Sequence, residues 1–171
     1  MTNYTAVEIA KYFLSKDKDK TVFTNNLTTK KNHTFYDGNA RLNKYLHLAQ
    51  NLHLAKYGTP LFTDTLLAYD NGAVAFNVQK KYMSLKKSNL STDIDSETKM
   101  FLDKIYDTFK DASVDELIEI SHEDNEWKEK NSGTSYYMDS ISRKDEYRTQ
   151  YADLLYLMFD AVESDFDDVE D

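Results

Sequence analysis

The chain has 171 residues, a mean hydropathy of −0.70 and a formal net charge of −9. It holds no cysteine, 4 glycines and 1 proline, which excludes disulfide frameworks, thiolate metal sites and cysteine nucleophiles, and argues against glycine-rich phosphate loops. Six of the 30 acids crowd into the last nine residues, Glu163 to Asp171, a stretch with no base. The acidity is therefore mostly a tail, and it argues against direct binding to a phosphate backbone.

Aromatic residues make up 13% of the chain, enough anchoring surface to demand a packed core. No stretch is apolar enough to span a bilayer. The opening residues, MTNYTAVEIAKYF, lack a basic run ahead of an apolar one, so a cytoplasmic protein without a secretion signal is expected.

Thr5 with Glu8 three residues on forms a capping box, which predicts a first helix over 5–15. Residues 16–38 are rich in Thr, Asn and Lys; they read as a long loop or as a small β-hairpin near 20–36, turning at Asn25-Asn26. Residues 39–57 give the clearest helix, with Leu42, Tyr45, Leu46, Ala49 and Leu52 at i, i+3, i+4, i+7 spacing. Gly58 caps it and Pro60 bars its continuation. An irregular connection follows over 61–72, then a helix over 73–86 and a polar loop over 87–95.

A helix over 96–110 puts Met100, Phe101, Ile105 and Phe109 on one side. Ser113 and Glu116 form a second capping box that opens a short helix to Ile120. Residues 131–138 read as loop, and 143–163 as one amphipathic helix. The sum is a mainly α, single multi-helix domain of six or seven helices over 1–162, followed by an acidic tail at 163–171.

Few residues stand out as chemistry. His122 precedes Glu123, Asp124 and Glu126, which could carry a carboxylate–imidazole metal site; a turn-orienting histidine is the plainer reading. Lys44, His47 and Asn51 form a polar strip beside the apolar face of the 39–57 helix, read as a solvated face or a partner-contact surface. Trp127, the only tryptophan, reads as a core plug or as an exposed anchor. No strained serine turn is present, and nothing selects a catalytic pair among the acids.

Three segments taken together resemble the Panacea domain of SocA-like antitoxins. The first is RLNKYLHLAQ at 41–50, running on to KYGTPLF at 56–62. The second is AYDNGAV at 68–74, and the third SHEDNEW at 121–127. Tyr69 stands where the family has tryptophan, Ala73 where it has the proline after glycine, and Glu126 where it has the proline before tryptophan. The segment 16–38 is longer than the family's usual connection.

The resemblance implies a helical protein-binding domain with no enzymatic activity, no cofactor and no metal. In the family such a domain neutralises a partner toxin by direct contact, in some members as a protease adaptor; an effector carried by a phage or mobile element, inhibiting a host nuclease or defence protein, is the alternative. A protein partner is expected, with no nucleic acid and no membrane. By position, the resemblance points to Lys44, His47, Gln50 and Tyr69; with Asn51 and Asp70 beside them they are the candidate partner-binding residues. The resemblance makes Gly72, His122 and Trp127 structural motif residues.

Overall fold

Local signals start half of the helices. Thr5 accepts from the Glu8 backbone while the Glu8 side chain returns to the Thr5 N–H, opening α1 (Ala6–Lys16). Asp95 caps α4 (Ser96–Phe109), Ser113 caps α5 (Val114–His122), and Asp124 caps α6 (Asn125–Asn131). Each cap satisfies a helix N–H that would otherwise lack a partner. Gly58, at φ +75°, ends α2 (Asp37–Tyr57) as the sequence predicts.

The computed structural model describes residues 4–133 and 135–159. Among them are eight α-helices and two antiparallel two-stranded hairpins. No helix of the described residues is long and apolar enough to cross a membrane. The predicted acidic tail, 163–171, lies outside the described residues, as does the end of the predicted 143–163 helix.

The mainly helical reading holds, with four differences of detail. The first hairpin pairs β1 (Leu27–Lys30) with β2 (His33–Tyr36) and turns at Lys31-Asn32. Both turn residues have positive φ, 49° and 64°, the backbone a two-residue hairpin loop demands. Asn25-Asn26 instead lies in the loop ahead of β1, where the Asn26 carbonyl accepts the Asp37 N–H at 2.7 Å. A second hairpin, β3 (Leu66–Tyr69) and β4 (Gly72–Ala75), occupies the expected connection and the start of the expected helix. Only from Phe76 does α3 (Phe76–Lys86) begin.

Third, the final helix is broken. A 3-10 turn (Ser140–Arg143), α7 (Lys144–Gln150) and α8 (Ala152–Phe159) replace one continuous element. Along α4, Met100 points to solvent rather than joining Phe101, Ile105 and Phe109 in the core.

α2 is the axis of the molecule. Fifteen of its 21 residues are buried, because α1, α3, α4, α5, α7 and β4 all pack against it. Its apolar side enters the main core: Tyr45 meets Phe13 and Phe23 edge-on at 5.5 and 5.4 Å. Such aromatic pairs add about 0.5–1.5 kcal/mol each beyond their buried area. The start of α2 is equally enclosed. A Cβ on Gly38 would overlap the Tyr82 hydroxyl and the Thr24 carbonyl, and the Gly38 N–H donates to that carbonyl at 3.0 Å.

Candidate functional site: a polar spine and an open cleft

Six polar residues of α2, in the order Asn39, Asn43, Lys44, His47, Gln50 and Asn51, are buried. The expected solvated or partner-contact strip is therefore internal. Lys44, His47, Gln50 and Asn51 do not lie on the surface, because β4, α5 and α7 cover that side of α2. A buried polar group needs a hydrogen-bond partner, and each of these finds one far away in the sequence.

Gln50 seats the segment that follows Gly58. Its Oε1 accepts the Leu61 and Phe62 N–H groups at 2.8 and 3.2 Å, and its Nε2 donates to the Phe62 carbonyl at 3.0 Å. This clasp is the physical content of the spacing between Gln50 and the GTPLF run. Asn43 does the same for the second hairpin, accepting the Ala75 N–H at 2.9 Å.

His47 and Asn51 converge on Asp124, which is fully buried. Its Oδ2 lies 2.7 Å from His47 Nε2 and accepts Asn51 Nδ2 at 2.9 Å. Its Oδ1 accepts the Tyr147 hydroxyl at 3.0 Å and the Glu126 N–H at 2.9 Å. Asn51 also donates to the Tyr151 hydroxyl at 3.2 Å. Burial by itself would push the Asp124 carboxyl up, but the bonds from His47, Asn51 and Tyr147 together hold it below the usual carboxylate range. Burial and the Asp124 charge push the Tyr147 hydroxyl up.

This hub was not legible in the sequence: Asp124 read only as one acid near His122. Its partner is His47, and His122 has another role. The His122 ring stacks on Trp127, centroids 4.0 Å apart and 7° from parallel. Burial, followed by the Lys44 charge, lowers the His122 pKa to about 4. The Trp127 indole N–H donates to the Tyr69 carbonyl at 2.8 Å, so the stacked pair pins α6 to the second hairpin. Among the described residues no group of three His, Asp or Glu side chains is arranged to hold a metal ion.

Glu126, another residue the sequence left unexplained, is also buried. It accepts the Asp139 N–H at 2.6 Å and pairs with Arg143 at 3.0 Å. Arg143 further binds Glu129, and Glu146 at 3.0 Å; these carboxylates raise its pKa. Where the family pattern has proline, this chain thus has an acid that ties down the segment leading into α7.

The open part of the site is a cleft of about 400 Å³ between the two hairpins, with α2 as its floor. Its walls include Phe35, Val74, Tyr69 and Tyr136, with Asp70 at the hairpin turn and Lys44 beneath. The hairpin tips close one side. Asp70 Oδ2 lies 3.2 Å from His33 Nε2, Asp70 Oδ1 accepts Asn131 Nδ2 at 3.2 Å, and Asn71 Nδ2 donates to the Lys30 carbonyl at 3.4 Å. The bonds from Asn131 and His33 lower the Asp70 carboxyl. Tyr69 meets Tyr136 edge-on at 6.3 Å, and the neighbouring Tyr137 is 68% exposed. Residues 136–138 reach this rim because they pair with β3 through the Ala68 and Met138 N–H groups.

Gly72 makes room for Lys44. It has φ +125°, and a Cβ there would overlap the Lys44 ammonium. Gly72→Ala is expected to cost about 3 kcal/mol in urea denaturation, from backbone strain plus the displaced lysine. Lys44 itself is 2% exposed, and burial lowers its pKa from 10.5 to about 7. Between pH 7 and 9 the unfolded chain then holds more protons than the folded one, so stability rises with pH there. The slope is at most about 1.4 kcal/mol per pH unit. Lys44→Met should remove that rise, which denaturation at pH 7, 8 and 9 would measure.

The fold thus combines a sealed polar spine with a cleft between two paired hairpins. The family model described as antitoxin SocA-like, Panacea domain, matches residues 42–128, half of the chain. The chain belongs to that family. No curated protein and no solved structure matches it.

Proposed function

We propose that this protein is an antitoxin that neutralises a partner toxin by direct contact, as a cytoplasmic binding protein with no bond-making chemistry of its own. Membership of the SocA-like antitoxin family supports the reading. The contact face is the rim of the cleft, where Tyr69, Asp70, Tyr136 and Tyr137 come together. Exposed tyrosines make good anchors, since they bury large area at low conformational cost. Of the candidate partner-binding residues, Tyr69 and Asp70 line this face. Lys44, His47, Gln50 and Asn51 act beneath it, by fixing the hairpin, the 61–62 segment and the C-terminal helices.

The test is co-expression with the product of the adjacent reading frame. That product should be toxic alone, harmless with this chain, and should co-purify with it. The double variant Tyr136→Ala/Tyr137→Ala should weaken the complex by about 2 kcal/mol or more while leaving the melting temperature unchanged. Unaltered affinity in that variant would move the interface elsewhere, and a harmless neighbour that fails to co-purify would remove the antitoxin reading.

A further inference from the structure

The cleft has a feature that protein contact does not account for. Lys44 lines the cleft with three N–H donors, and among the described residues its ammonium bonds only to the Asn71 carbonyl. Among the described residues no carboxylate lies within ion-pair distance of it. A buried ammonium with one neutral partner is a costly arrangement, and Gly72 preserves the space in which it sits. The nearest acid along the cleft, Asp70, is already engaged by His33 and Asn131.

The walls complete the description. Phe35, Val74, Tyr69 and Tyr136 line the same cleft as Lys44 and offer it apolar surface. The volume falls within the range of small-ligand pockets, about 300–1,000 Å³. The amide nitrogens of Asn39 and Asn43 are committed to the Gln79 and Asn39 carbonyls at 3.0 Å. Lys44 is thus the cationic donor that a ligand entering from the hairpin side would meet at the floor.

We propose that this cleft binds a small organic oxyanion, a carboxylate or phosphate ester with an apolar body, whose charge pairs with Lys44 and whose body lies between Phe35, Val74 and Tyr69. The charge would meet the floor of the cleft, while the apolar body would share Tyr69 with the proposed toxin-contact rim.

Isothermal titration calorimetry on the full chain at pH 6, where Lys44 carries its proton, tests it with three probes: phenyl phosphate, 3-phenylpropionate and, as a neutral control, 3-phenylpropanol. At least one acid should bind at about 1 mM or tighter, with the alcohol at least about tenfold weaker; the tighter acid tells phosphate from carboxylate. Lys44→Met should fold, because an apolar isostere relieves a buried charge, and should lose at least about tenfold in acid affinity. Ala40→Phe fills the recess from the α2 wall without touching the ammonium and should lose the acid equally, which keeps the test decisive if Lys44→Met does not fold. Absence of binding by both acids at about 10 mM, equal binding of acid and alcohol, or undiminished binding by a folded Lys44→Met would overturn the proposal.

Discussion

Asp124→Ala should lower the unfolding free energy by about 3–5 kcal/mol at neutral pH, the cost of removing one partner from a buried charged network. The reason is the number of groups it serves. His47, Asn51, Tyr147 and the Glu126 N–H all meet this carboxylate, and none could reach water in its absence without opening the structure. Asp124→Asn keeps the shape and one acceptor, so it should cost about half as much. Because the Asp124 carboxyl is lowered in the folded protein, its contribution is present above its unfolded value near 3.8. That contribution is lost as pH falls through the lower folded value. Wild type and Asp124→Asn should therefore converge in stability in acid. Hydrogen exchange should place the damage first in α7, whose Tyr147 loses its partner. A loss below about 1 kcal/mol would mean that the hub is ancillary to the packing of α2 and α7.

Trp127→Ala should cost about 3–5 kcal/mol, as large aromatic truncations in cores do. The indole is 6% exposed, stacks on His122 and holds the Tyr69 carbonyl. Truncation leaves a void beside the second hairpin and an unpaired carbonyl. Trp127→Phe keeps the stacked ring and loses the hydrogen bond, for about 1 kcal/mol. Since this is the only tryptophan, unfolding should be followed by far-ultraviolet circular dichroism rather than by fluorescence. Near-wild-type stability in Trp127→Ala would show that the side chain does not wedge α6 against the hairpin.

Residues whose partners are close in sequence were the legible ones. The caps at Thr5 and Ser113 span three residues, though only Thr5 closes the predicted box while Ser113 accepts the Glu116 N–H without a return bond, and Gly58 with Pro60 ends α2 within three. These are local contests between side chain and backbone, decided before any tertiary contact forms. The hairpin near 20–36 was legible as a turn-rich segment but not in its register. Asn25-Asn26 and Lys31-Asn32 carry similar signals, and pairing of Thr28 with Phe35 and Thr29 with Thr34 selects between them. The second hairpin was missed because four-residue apolar runs such as LLAY and GAVA do not separate strand from helix by period.

The direction of the polar strip on α2 was the largest misreading, and its cause is distance along the chain. His47 and Asp124 are 77 residues apart, Asn51 and Tyr151 a hundred. Helical spacing says which residues share a side of α2, and it cannot say whether solvent or another helix faces that side. Three aligned groups needing partners, with Tyr147 and Tyr151 spaced to supply hydroxyls, were the available clue.

By itself the sequence determined the helical class, most helix starts and stops and the absence of thiol chemistry, since each follows from composition or periodicity, and its three motif segments carried the resemblance to the family. The tertiary structure decided which polar residues are inside, that Asp124 serves His47 while His122 stacks on Trp127, and that a cleft with an ammonium floor lies between the hairpins. Those outcomes depend on which distant segments bury one another, and burial is what turns an ordinary lysine, histidine or aspartate into a structural or binding group.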